Sequence, residues 1–78
     1  MMHYIILDGK KTTEYTRGRI SGVIYVLTGM PEKGYAWKVT EDGNAWTASF
    51  RGDIQLRQTI IDTINKMYPD VIMAVKSI

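Results

Sequence analysis

Ile20-Ser21-Gly22-Val23-Ile24-Tyr25-Val26-Leu27 is the stretch that decides the fold, because it satisfies two periodicities at once. Ile20, Val23, Ile24 and Leu27 recur at helical spacing, and Gly29 and Pro31 just beyond would stop a helix. Against a helix stand Gly18, Gly22 and a dense set of β-branched side chains, all poor helix formers. Local composition therefore favours a strand over 20–27, with a helix over about 13–27 as the alternative.

The segments on either side are easier to read. Residues 3–7 are rich in Tyr, Ile and Leu and stop at Asp8-Gly9, a pair that favours a two-residue hairpin turn. The polar stretch from Lys10 to Arg17 then reads as the return strand. Downstream, Tyr35, Trp37 and Val39 alternate with Ala36, Lys38 and Thr40, and Trp46, Ala48 and Phe50 alternate with Ala45, Thr47 and Ser49. Closing this hairpin at Asp42-Gly43 pairs Val39 with Trp46, Trp37 with Ala48 and Tyr35 with Phe50. One face becomes apolar and aromatic and the other polar and small.

Asp53 is an N-cap candidate for a helix over 53–67, whose stripe runs Leu56, Ile60, Ile64 and Met67. Pro69 ends that helix at or before Tyr68. Residues 71–75 read as a last strand.

These elements predict a single α+β domain over 1–78: an antiparallel sheet of four to six strands packed on one amphipathic helix, 53–67. Trp37, Trp46, Phe50, Tyr35, Leu56, Ile60 and Ile64 are its expected core. With a helix at 13–27 instead, the order becomes βαββαβ and the layout resembles the ferredoxin-like one. In the one-helix form the apolar surface exceeds its cover. Residues 4–7, 23–27 and 71–75 are apolar on both faces, a mark of strands covered on both sides. One helix covers one side, so another helix, a second copy or a different partner must take the other.

Composition narrows the function classes. Apolar residues make up 45% of the 78 and charged residues 23%, a globular balance, and a net charge of +2 creates no strong polyanion field. The absence of cysteine excludes a disulfide framework, a thiol nucleophile and a thiolate zinc site. A domain this small buries only about 60% of the surface its unfolded chain exposes, which raises the expectation of association. No stretch reaches the roughly 18 apolar residues needed to span a bilayer. Met1 to Asp8 lacks the basic start and long apolar run of a secretory signal, so the expected compartment is the cytoplasm and no membrane partner is expected.

Short motifs add little chemistry. Gly29 and Gly34 have the spacing of a phosphate loop, but Tyr35-Ala36 replace the lysine and hydroxyl that reach phosphate and magnesium. Lys33-Gly34-Tyr35-Ala36-Trp37-Lys38-Val39-Thr40 partly resembles the RNA-stacking motif of the RRM family. Its first four positions fit and Trp37 supplies an aromatic, but Lys38 departs from an apolar position and Thr40 from an aromatic one. That resemblance implies Tyr35 and Trp37 facing RNA, whereas the hairpin alternation turns both inward. The hairpin-then-helix order of 35–67 is also similar to AP2-like and integrase-arm DNA-binding domains. That likeness implies a reading face of Lys38, Thr40, Thr47 and Ser49, without the arginines that read guanine.

Lys10, Lys11, Arg17 and Arg19 form the one basic cluster, readable as a phosphate-contacting patch or as lysines guarding an edge strand. His3 is the single histidine, Glu41 and Asp42 share an exposed turn, and Ser21, Ser49 and Ser77 have no evident base. No catalytic, metal or cofactor residues are expected, and the chain is not expected to be an enzyme. The expected function is a protein-binding or regulatory module acting through an exposed sheet face or strand edge, with self-association as one mode. The alternative is a nucleic-acid-binding module. Partner contacts are expected from Lys10, Lys11, Arg17, Arg19, Lys38, Thr40 and Thr47.

Overall fold

The computed structural model describes residues 1–29 and 36–78. Its elements run β1 (Met2–Asp8), α1 (Glu14–Thr28), β2 (Ala36–Val39), β3 (Ala45–Arg51), α2 (Ile54–Met67) and β4 (Ile72–Ser77). The strands form one antiparallel sheet in the order β2-β3-β1-β4. The α+β class holds, and the β-α-β-β-α-β layout is the ferredoxin-like alternative, with a helix where composition favoured strands.

Two expectations fall with that result. Residues 20–27 belong to a helix, and residues 10–17 are no return strand. Asp8-Gly9 does not close a hairpin. Asp8 instead folds the chain into a turn, its side chain accepting from the Lys10 amide at 2.9 Å and its carbonyl from the Lys11 amide at 3.1 Å. Gly9 is required for a different reason. A Cβ there would collide with the Gly43 carbonyl, because the two loops cross at that point. Thr13 then caps α1 by accepting from the Thr16 amide, and Gly29 ends it in the left-handed conformation at φ 69°.

Packing explains why α1 is a helix despite its glycines. Thr16, Ile20 and Ile24 recur every fourth residue and are buried. Helix stability in proteins comes mostly from such a packed stripe rather than from propensity. Ile60 and Ile64 of α2 do the same, behind the Asp53 cap read from sequence, whose carboxylate accepts from the Leu56 amide at 2.7 Å.

Both helices lie on one side of the sheet. There Ile20, Ile24, Ile60 and Ile64 meet Ile5 and Leu7 of β1 and Ala48 and Phe50 of β3, all essentially without exposure. The expected core is therefore correct in Phe50, Ile60 and Ile64. Trp37, Trp46 and Leu56 are half-buried at its margin, and Tyr35 lies outside the described residues. The β2–β3 register has Val39 opposite Trp46 and Trp37 opposite Ala48, as the alternation predicted. Replacing Ile24 by Ala should cost about 2–5 kcal/mol, as for other buried aliphatic truncations. Chemical denaturation of the two proteins measures it, and a loss below about 1 kcal/mol would place α1 outside the core.

Candidate functional site

A second helix does not cover the second face of the sheet, because it joins α2 on the same side. The open face follows from β1, where His3, Ile5 and Leu7 are buried and Met2, Tyr4, Ile6 and Asp8 alternate with them. Strand register builds the rest. One row runs Lys38, Thr47, Ile6 and Ala74, and the next holds Ser49, Tyr4 and Lys76. Met2 sits opposite Arg51. The half-buried Tyr4, Ile6 and Met2 thus form an apolar centre. Exposed Lys38, Arg51 and Lys76, from β2, β3 and β4, stand around it. Asp8 is the one acidic side chain on these rows.

The residues singled out from sequence do not gather at one place. Lys38 and Thr47 are cross-strand neighbours on the open face. Thr40 lies just past β2, and its hydroxyl is committed to the hairpin loop, donating to Asp42 Oδ1 at 2.6 Å and accepting from the Ala45 amide at 3.2 Å. Lys10 and Lys11 are exposed in the β1–α1 turn. Arg17 and Arg19 leave α1 in different directions. The Arg17 guanidinium donates to the Thr12 carbonyl and hydroxyl and stacks 3.9 Å from the centre of the Trp46 ring. That of Arg19 lies 5.8 Å over the Tyr68 ring, near the end of α2. The cluster in sequence is therefore no single patch in space.

Sequence reading missed Tyr4, Arg51 and Lys76. Arg51 continues the period-two alternation of Thr47 and Ser49 and was reachable by extending it. Lys76 lay one residue past the strand read over 71–75, whereas β4 runs Ile72–Ser77 and pairs Lys76 with Tyr4.

His3 is a junction. It is fully buried beside Phe50, with Nε2 2.8 Å from the Gly52 carbonyl and Nδ1 2.7 Å from Ser77 Oγ. A carbonyl only accepts, so Nε2 carries the hydrogen, and Nδ1 can accept from the Ser77 hydroxyl. Ser77 Oγ accepts in turn from Arg57 Nη1 at 3.0 Å. The network ties the end of β4 to β1 and to the β3–α2 connection, and no carboxylate takes part. Among the described residues, no group of three or more His, Asp and Glu could hold a metal, and no helix is long and apolar enough to cross a membrane. No protein-family model matches the chain, and comparison with curated proteins and with solved structures finds no match.

The hairpin loop beside the open face has a built-in acid response. Asp42 accepts from the Thr40 hydroxyl and from the Asn44 amide and side chain, and these bonds, the Thr40 one first, lower its carboxyl below the ordinary value of 3.8. A lowered folded-state value means that the loop bonds persist above the ordinary range and are lost as pH falls through the lowered one. An NMR titration of the Asp42 carboxyl should show a midpoint below 3.8 that rises in Thr40→Val. A midpoint unchanged by that substitution would contradict the Thr40 bond.

Proposed function

We propose that this chain is a protein-binding module that works through the open face of its sheet. One observation carries the reading. Both helices cover the same side, leaving Tyr4, Ile6 and Met2 as an apolar centre ringed by Lys38, Arg51 and Lys76. An apolar centre with a charged rim is the anatomy of a protein interface.

Charge argues for the kind of partner. Two copies meeting face to face would bring two sets of three cations together against one Asp8 from each, and like charges across an interface are costly. An acidic surface on a different protein complements the ring. Tyr4 amid cations from three strands also suits single-stranded nucleic acid, since aromatic rings stack bases and cations track the backbone. Salt separates the two readings. Neutralising three phosphates of a single strand gives log K a slope of about −2 against log salt.

A partner protein retained by the immobilised wild-type chain should protect β1 and β3 amides from hydrogen exchange. It should be lost from a Lys38→Glu/Arg51→Glu double variant that melts at the wild-type temperature. Retention by the double variant would remove the open face as the docking surface. Retention abolished by nuclease would replace the protein partner with a nucleic acid.

A further inference from the structure

The flank of α1 nearest β2 and β3 holds a hollow of about 510 Å3 walled by Glu14, Arg17, Gly18, Ser21, Trp37 and Trp46. That is within the size range of small-molecule sites, roughly 300–1,000 Å3. It is separate from the open sheet face, so a ligand held here is independent of whether that face binds anything.

Gly18 is the informative residue. It sits inside α1, where glycine destabilises a helix relative to alanine. A Cβ built on it meets nothing within 4 Å, so the packing of the chain does not require a glycine there. What the missing side chain leaves is open space along this wall of the hollow.

The walls are ordered before any ligand arrives. Arg17 is held by its bonds to Thr12 at 3.0 and 3.2 Å, and its guanidinium carbon lies 3.9 Å from the centre of the Trp46 ring. The Trp37 indole N–H donates to Ser21 Oγ at 2.8 Å, which leaves the Ser21 hydroxyl hydrogen to donate elsewhere. The two indoles stand edge to face at 73°, 6.3 Å apart. The Glu14 carboxylate makes no hydrogen bond or ion pair with another described residue.

These groups select a ligand class. A cationic guest is disfavoured, because Arg17 already occupies the face of Trp46. A guanidinium seated over an aromatic ring keeps its own outer face for a further flat ring to stack on. Along the rim, Arg17 and Ser21 donate and Glu14 accepts. A flat heteroaromatic ring that carries both acceptors and an amino group satisfies all three. We propose that this hollow binds a single nucleobase bearing an exocyclic amino group, with the ring on the outer face of the Arg17 guanidinium and the amino group on Glu14. The base could belong to a free nucleotide or to an unstacked position of a single strand. In the second case the exposed Lys10 and Lys11, just before the α1 cap, are placed in sequence to meet flanking phosphates.

The chain's two tryptophans both wall the hollow, so intrinsic fluorescence reports on it directly. Guanosine monophosphate, uridine monophosphate and a short guanine-containing single strand are titrated, with excitation beyond nucleotide absorption. Guanosine monophosphate should quench saturably and at least tenfold more tightly than the uridine nucleotide, which lacks the amino group, and Glu14→Gln should erase that difference. Gly18→Ala and Gly18→Leu should both raise the melting temperature while weakening binding progressively. Gly22→Ala, on the other flank of α1, should raise the melting temperature and leave binding intact. Tighter binding of the strand than of the nucleotide, lost in Lys10→Ala/Lys11→Ala, would assign the base to a nucleic acid, and equal binding would assign it to a free nucleotide. Absence of saturable quenching by every probe, equal affinity for both mononucleotides, or full binding by Gly18→Leu would overturn the proposal.

Discussion

Everything in this fold depends on β1 being paired on both edges while every second side chain is excluded from water. It pairs with β3 over seven residues and with β4 over five, and His3, Ile5 and Leu7 all have zero exposure. A strand so placed cannot slip by one residue, because a slip would exchange the buried set for Tyr4, Ile6 and Asp8. The helices dock on the side this choice defines, and the open face is its complement. His3 makes the arrangement more specific. A buried imidazole must satisfy both ring nitrogens, and the Gly52 carbonyl and Ser77 hydroxyl do so only if β4 and the start of α2 close around β1 in this register.

How much was legible depends on how local each signal was. The β2–β3 hairpin could be read to the residue pair, since Trp37, Val39, Trp46 and Ala48 alternate across an Asp42-Gly43 centre and register is set by the turn. Helix α2 had a cap, a stripe and a proline stop, all agreeing. Helix α1 was misread because its local terms conflict. Gly18, Gly22 and the β-branched residues oppose a helix, and what overrules them is burial of Ile20 and Ile24 against Ile60 and Ile64, a contact between segments about forty residues apart. Gly29 already counted toward a helix, whereas Thr13, the cap at the other end, lay well before the ambiguous stretch.

The candidate surfaces were legible only where the fold was. Lys38 and Thr47 were correctly assigned to one face because they sit on the hairpin. The basic run from Lys10 to Arg19 looked like a patch only while it was read as extended. Wound into a turn and a helix, it sends Arg17 to Trp46 and Arg19 to Tyr68, about half a helical turn apart in sequence and on different flanks. The aromatic content misled in the same way. Trp37 and Trp46 do point to the helix side, as the alternation required, yet they end at the margin of the core, where their indoles remain partly exposed.

The correction to α1 also changes why a partner is expected at all. With one helix, the shortage was of cover: three strands apolar on both sides and a single stripe to shield them. One of those three, residues 23–27, is no strand, and it supplies part of the shield. What remains open is carried by β1 and β4, and there the apolar side chains are interleaved with Lys76, Ser49, Thr47 and Asp8 in neighbouring rows. Such a face does not need burial to keep the chain folded. Association is therefore favoured by the composition of the surface rather than by stability: an apolar centre that water tolerates, with three cations drawn from three different strands around it. A partner that binds there must supply negative charge at matching positions, and such charge complementarity governs selectivity and encounter rate more than affinity.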